Sequence, residues 1–158
     1  MNGKLLLGTA GAIAGALLGA IAWAAITATT NFQIGYMAVG VGILAGAGMR
    51  ILGGGRAAAD GIVAGIVSLL GCVLGNLLAV DVQFAQHEHY PIAGVIVASL
   101  TKPALAADLI RATFNVMDLL FYAIAVYAGY RAAMKPGTAA DESTNTNAVT
   151  APPPDPAR

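Results

Sequence analysis

The chain has 158 residues, 58% of them hydrophobic and only 10% charged, with eight basic side chains balancing eight acidic ones. Soluble domains carry about a quarter charged residues and give each helix a solvated face, so this composition excludes an ordinary water-soluble fold. Zero net charge excludes the basic footprint of a nucleic-acid binder, and the single Cys72 excludes an internal disulfide.

Three stretches set the architecture: Leu5 to Met49, Gly61 to Val80 and, apart from Asp118, Ala112 to Tyr130 contain no Asp, Glu, Lys, Arg or His. Lipid is the solvent that fits them. The first span is predicted over 5–26, long enough at about 1.5 Å per residue for a hydrocarbon core of ~30 Å. A secretory leader is the rival reading, with Lys4 as its basic start and Ala22-Trp23-Ala24 as a cleavage-like site. The apolar run exceeds the ~7–15 residues of a signal core, which favours the span. A polar turn is expected at Thr27-Ala28-Thr29-Thr30-Asn31, then a second span over 34–51 with Arg50 snorkelling at its end. Gly53-Gly54-Gly55 breaks that helix, and Asp60 is placed to cap a third span over 61–80.

Residues 81–114 form a long connection. Ile92–Leu100 is apolar but too short to cross a bilayer, and Ala104–Ala112 reads as an amphipathic surface helix with Asp108 and Arg111 in reach of each other. The fourth span is predicted over 115–134, starting at Asn115-Val116-Met117-Asp118, which has capping-box spacing. The fold class is therefore all-α: a polytopic membrane domain over 1–135, with four spans and short interfacial helices between the third and fourth. Residues 136–158, rich in Thr, Asn, Ala, Asp and Pro, read as a disordered tail that buries too little apolar surface to offset its entropy. With four spans, Lys4, Arg50, Arg56, Arg131 and Lys135 gather on one side and Lys102 and Arg111 on the other. The positive-inside rule puts both termini in the cytoplasm and the 27–33 and 81–114 connections outside.

Glycines four apart recur at Gly11, Gly15 and Gly19, at Gly42 and Gly46, at Gly61 and Gly65, and at Gly71 and Gly75, with Ala125, Gly129 and Ala133 echoing them. Such stripes let helix backbones approach closely, either within one chain or against a second subunit. Asp118, as the only carboxylate within a predicted span, is either a helix cap or a functional acid. His87-Glu88-His89 has the look of a ligand pair, which Asp81 or Asp118 could extend, but zinc usually takes three or four ligands at defined spacing, so no metal or other cofactor is expected. Solvated or pH-sensitive histidines at the membrane surface fit better. Asn76 is expected to meet Asn115 or Asp118 across the bundle, Cys72 to fill space, and Trp23, Tyr36, Tyr90, Tyr122, Tyr127 and Tyr130 to include interfacial anchors. No nucleophile–base set, glutamate pair or phosphate loop can be assembled, so an enzyme is not expected.

Three stretches resemble an uncharacterised family of small bacterial four-span inner-membrane proteins. They are Trp23 with Gln33-Ile34-Gly35-Tyr36-Met37-Ala38-Val39-Gly40-Val41-Gly42 and Gly46; Leu70-Gly71-Cys72-Val73-Leu74-Gly75-Asn76; and Asp118-Leu119-Leu120-Phe121-Tyr122-Ala123-Ile124-Ala125 with Tyr127 and Tyr130-Arg131. The resemblance implies a four-helix membrane domain and no particular activity. Members often have Glu where Gln33 stands, and some carry a cytoplasmic zinc module, which one cysteine cannot build. The expectation is a multi-pass protein of the bacterial cytoplasmic membrane, in contact with the lipid bilayer. It would be a non-enzymatic accessory or scaffold, binding itself or another membrane protein through a glycine stripe. On that reading Gly42→Leu or Gly71→Leu abolishes association and spares insertion. The alternative is an oligomeric small-solute or lipid transporter with a polar site at Asn76, His87, His89, Asn115 and Asp118.

Overall fold

The computed structural model describes residues 3–30, 32, 35–55 and 57–134. The tail over 136–158, Arg56, Lys135 and Gln33 lie outside the described residues. Six α-helices and no strands occur among those described: α1 (Gly3–Thr30), α2 (Met37–Gly53), α3 (Ala58–His87), α4 (Ile92–Thr101), α5 (Pro103–Thr113) and α6 (Val116–Ala133). Three of them, α1, α3 and α6, are long and apolar enough to cross a membrane. Helix α2 is a shorter apolar helix, and α4 with α5 would pass the same test only as a pair bent by 108°.

The glycines fix how these helices lie. Gly11 faces Gly48, Gly15 faces Leu44 and Gly19 faces Val41, so α1 and α2 run antiparallel with almost no side chain between them. Gly71 meets Ala16 and Val41 together, and Gly75 meets Ala20 and Trp23, which makes α3 parallel to α1. Helix α6 is antiparallel to α3, through Gly61 on Tyr130 and Gly65 on Val126, and parallel to α2, through Gly42 on Ala125 and Gly46 on Gly129. Helices α2 and α3 also touch each other, whereas α1 and α6 do not. The bundle is thus a rhombus with α2 and α3 across its short diagonal. Its core is built from small residues with a few large ones, chiefly Ala16, Ala38, Val41, Ala45, Cys72 and Trp23. One end carries Lys4, Gly53 and Ala133 and is called the Lys4 end; α1 and α3 finish at the other, the His87 end.

Several sequence expectations need correction. Helix α1 runs through Thr27–Thr30 instead of turning there. The Thr29 and Thr30 hydroxyls donate to the Ile26 carbonyl at 3.0 and 2.8 Å, so these residues satisfy themselves against the helix and need not leave it. Helix α3 runs seven residues past Val80 to His87, so Asp81 belongs to a helix and not to a connection. Asp60 does cap α3, as expected, but from inside its first turn, where its Oδ2 accepts from the Ala57 N–H at 3.2 Å. Trp23 is 1% exposed and packs on Gly75, so it belongs to the core and is no interfacial anchor. Tyr122 is likewise buried, while Tyr36, Tyr90 and Tyr127 are exposed.

Helices α4 and α5 pack only on α3 and on each other. They form a hairpin on the flank of α3 at its His87 end. Helix α4 has one buried residue, Ser99, and α5 has none. The expected Asp108–Arg111 pair is present at 3.9 Å on the surface of α5, where such a pair contributes little.

Candidate functional site

The five polar residues singled out from the sequence do not form one cluster. Asn76 is 1% exposed, on the face of α3 toward α6, and hydrogen-bonds the buried Tyr122 side chain. Asp118 lies one turn before Tyr122, half-buried, and its Oδ2 accepts from the Asn115 backbone N–H at 2.9 Å. The Asp118 N–H in turn donates to the Asn115 carbonyl at 2.9 Å. Asn76, Asn115 and Asp118 therefore share one neighbourhood, organised by Tyr122 and the start of α6. His87 and His89 stand apart, because eleven residues of helix separate Asn76 from His87, about 16 Å along the axis.

The two histidines are exposed and do different things. His87 ends α3 and lines a groove against α5. His89 has a φ of 58°, the only described non-glycine residue in that region. The Tyr90 N–H reaches back to the Ala85 carbonyl at 2.9 Å and the Glu88 N–H to the Phe84 carbonyl at 3.0 Å. The Tyr90 bond is the six-to-one link of a Schellman turn, in which a left-handed residue lets the chain fold back over a helix end and satisfy one of its last carbonyls. His89 thus holds a position usually given to glycine, through its backbone and not its ring. Among the described residues, no three His, Cys, Asp or Glu converge to hold a metal ion.

Sequence reasoning offered Asp81 only as a possible extra ligand beside the histidines and missed its burial, which leaves it no solvent exposure at all. Ser99, 1% exposed on α4, donates from Oγ to Asp81 Oδ1 at 2.6 Å. Asp81 Oδ2 is buried and has no hydrogen-bond partner among the described residues. A carboxyl removed from water is costly unless bonded, so one strong bond leaves it as an acceptor with spare capacity. At 100° per residue, Asp81 points about 120–140° around α3 from Gly75 and Gln86, the residues that face α1. It therefore lies on the outside of the four-helix bundle, and α4 supplies its cover.

Further buried polar atoms gather at this level. Gln86 Nε2 donates to the Ala28 carbonyl at 2.8 Å, tying the ends of α3 and α1 together. Gln86 Oε1, Thr27 Oγ and Trp23 Nε1 are buried without partners among the described residues. In the sequence Asp81 was visible as one charge inside the apolar run Leu77 to Val82, and Ser99 as one hydroxyl inside Ile92 to Leu100. Each is the lone polar residue of its run, which is the signal that links them.

Two open spaces adjoin these helices. One, about 650 Å³, lies between α3 and α5 and is lined by Val80, Gln83, Phe84, Gln86 and His87 opposite Leu109, Ala112 and Thr113. The other, about 440 Å³, is an apolar groove between α3 and α6 with Gly61, Gly65 and Ala123 between Ile62, Ile66, Leu69, Val126, Tyr127 and Tyr130.

The glycine stripes are mostly spent on the fold. A Cβ added to Gly11, Gly15, Gly19, Gly42 or Gly46 would strike backbone of another helix of the same chain. At Gly61, Gly71 and Gly75 it would stand 2.7–2.8 Å from packed side chains. Gly42 and Gly71 therefore cannot separate association from folding, as the sequence reading expected, because leucine at either opens the bundle itself. Gly65 is different: its nearest neighbour beyond its own helix is Val126 Cγ1 at 3.3 Å. The sequence reading also missed Gly8, Gly48 and Gly53, which pave the rest of the α1–α2 contact. No family model matches the chain, and comparison with curated proteins and with solved structures finds no similar chain.

Proposed function

We propose that the chain is a non-enzymatic accessory protein of the bacterial cytoplasmic membrane, one that assembles with another membrane protein through the groove between α3 and α6. Its spans are α1, α2, α3 and α6. The helix directions support that count. Since α1 and α3 are parallel, α2 has to return across the membrane between them. Since α6 is antiparallel to α3, the α4–α5 hairpin begins and ends on one side. Lys4, Arg50 and Arg131 gather at the Lys4 end, which supports a cytoplasmic Lys4 end and an external hairpin.

The observation that carries the assembly reading is the floor of the α3–α6 groove. Of the stripe glycines, Gly65 alone has no neighbour closer than 3.3 Å to an added Cβ, and it lies on the floor of a groove rimmed by exposed Ile62, Ile66 and Tyr127. Small residues on a groove floor allow close backbone approach, the main source of helix association in lipid. The test is the native mass of the complex extracted gently from its own membrane, wild type against Gly65→Leu. Loss of a stoichiometric foreign protein from a still-folded variant supports the reading; an unchanged complex refutes it.

A second reading, an oligomeric small-solute or lipid transporter, is favoured by the meeting of Asn76 and Asp118 around Tyr122. It requires that Asp118→Asn abolish uptake or lipid exchange in vesicles while the thermal midpoint stays within a degree or so of wild type. A variant that loses both activity and stability supports a cap alone.

A further inference from the structure

The hairpin of α4 and α5 is joined to the rest of the molecule differently from every other helix. It touches α3 alone, α5 buries no residue, and α4 buries only Ser99. Ser99 is the residue that bonds Asp81, so the one buried position of α4 is also its one polar link. Apart from Thr101 at its end the rest of α4 is apolar, and Val97 and Leu100 are more than half exposed. The hairpin is entered through His89, held at φ 58°, and Pro91, and left through the extended Phe114 and Asn115. Irregular backbone thus flanks it on both sides, which is where a hinge absorbs rotation.

We infer that α4 and α5 form a strap that opens as one unit from α3, with the buried Asp81–Ser99 hydrogen bond as its latch. Closed, the strap covers a carboxyl that would otherwise stand on the outer flank of α3. Opening frees both Asp81 oxygens to new partners and carries away the α5 wall of the 650 Å³ groove. Access to that groove and to Asp81 is therefore one event. Few buried contacts, with one buried side chain on the hairpin, are the features of a locally low opening energy. The latch is worth more than an exposed hydrogen bond, because a buried partner left without its bond is penalised.

The test is native-state hydrogen–deuterium exchange of the full chain in lipid nanodiscs. In the wild type, amides of 92–113 should exchange together and at least about ten times faster than those of 61–80. In Ser99→Ala the strap amides should speed up by a further factor of about ten or more, with α1, α2 and α6 unchanged. Asp81→Asn keeps an acceptor for the Ser99 hydroxyl and should stay within about threefold of wild type. The inference is overturned if wild-type 92–113 is protected as strongly as 61–80, a result that needs no variant to fold. It is equally overturned if Ser99→Ala leaves the strap unchanged or accelerates all helices alike.

Discussion

Two glycines two residues apart in α2 should respond to the same substitution with opposite signs. A Cβ on Gly42 would overlap the Ala125 carbonyl oxygen and stand 2.9 Å from its carbon and 3.0 Å from the Ala125 Cα. All of these are backbone atoms, so no side chain can swing aside. Ordinary carbon contact needs about 3.5–4.0 Å, so α2 and α6 must part by roughly 1 Å, and a gap of that size forfeits a quarter to a half of each nearby contact. The loss extends along the pair, because Gly46 lies on Gly129 and Gly55 on Ala133 in the same seam. Overpacking of this kind costs about 1–3 kcal/mol, so Gly42→Ala should lower the unfolding free energy by that amount. A Cβ on Gly40 meets nothing within 4 Å. There alanine brings only better helix propensity, a gain of up to about 1 kcal/mol. Both variants can be measured by reversible SDS unfolding in mixed micelles, followed by helical circular dichroism. Equal effects at the two positions would refute the packing of α2 on α6, and with it the claim that Gly42 is spent inside the chain.

Other substitutions probe the remaining positions. His89→Gly should raise the unfolding free energy by about 1 kcal/mol in the same assay, since a left-handed non-glycine residue costs about 1–2 kcal/mol; a loss would mean that the imidazole itself carries a contact. Asp118→Ala removes the acceptor of the Asn115 N–H and a negative charge from the start of α6, and should cost about 0.5–2 kcal/mol. No change there would leave the capping bond without energetic weight. Trp23→Ala, at a fully buried ring on Gly75, should cost about 3–5 kcal/mol, whereas an interfacial anchor would lose far less.

What the sequence made legible was whatever depends on local pattern. Long uncharged runs located α1, α2, α3 and α6, and Pro103 together with the short apolar run ahead of it located α4 and α5. Helix ends were less legible. Thr27 to Thr30 looks like a turn by composition, but hydroxyls bonded to carbonyls of the preceding turn make it helical. Asp81 was hidden for a different reason. A charge normally marks where an apolar span stops, and the fact that allows this one to be buried, Ser99, lies eighteen residues away on another helix. The same non-locality separates Gly42 from Gly65. Both stand in glycine pairs four apart, and only the helix packed against each decides whether the stripe is closed or open.

The two ends of the bundle divide the work that these residues can do. From the Lys4 end up to Asn76, four helices pack through glycine and alanine, and a seam of that kind has no slack for motion because its contacts are between backbones. Beyond Asn76 the situation changes, since α6 begins at Val116 and α2 at Met37, while α1 and α3 continue to Thr30 and His87. Two helices cannot bury what four can. At that level Gln86 and Thr27, near the α1–α3 contact, and Asp81, on the outer flank of α3 under α4, hold buried atoms without partners among the described residues, and the hairpin covers only the α3 flank. Close packing below and buried unpartnered polar atoms above is the arrangement expected when a rigid bundle carries a movable hairpin. A partner seated along Gly65 and Ile66 would touch α3 on the rigid part of the same helix that bears the strap, so α3 is the one element through which membrane assembly and strap opening can be coupled.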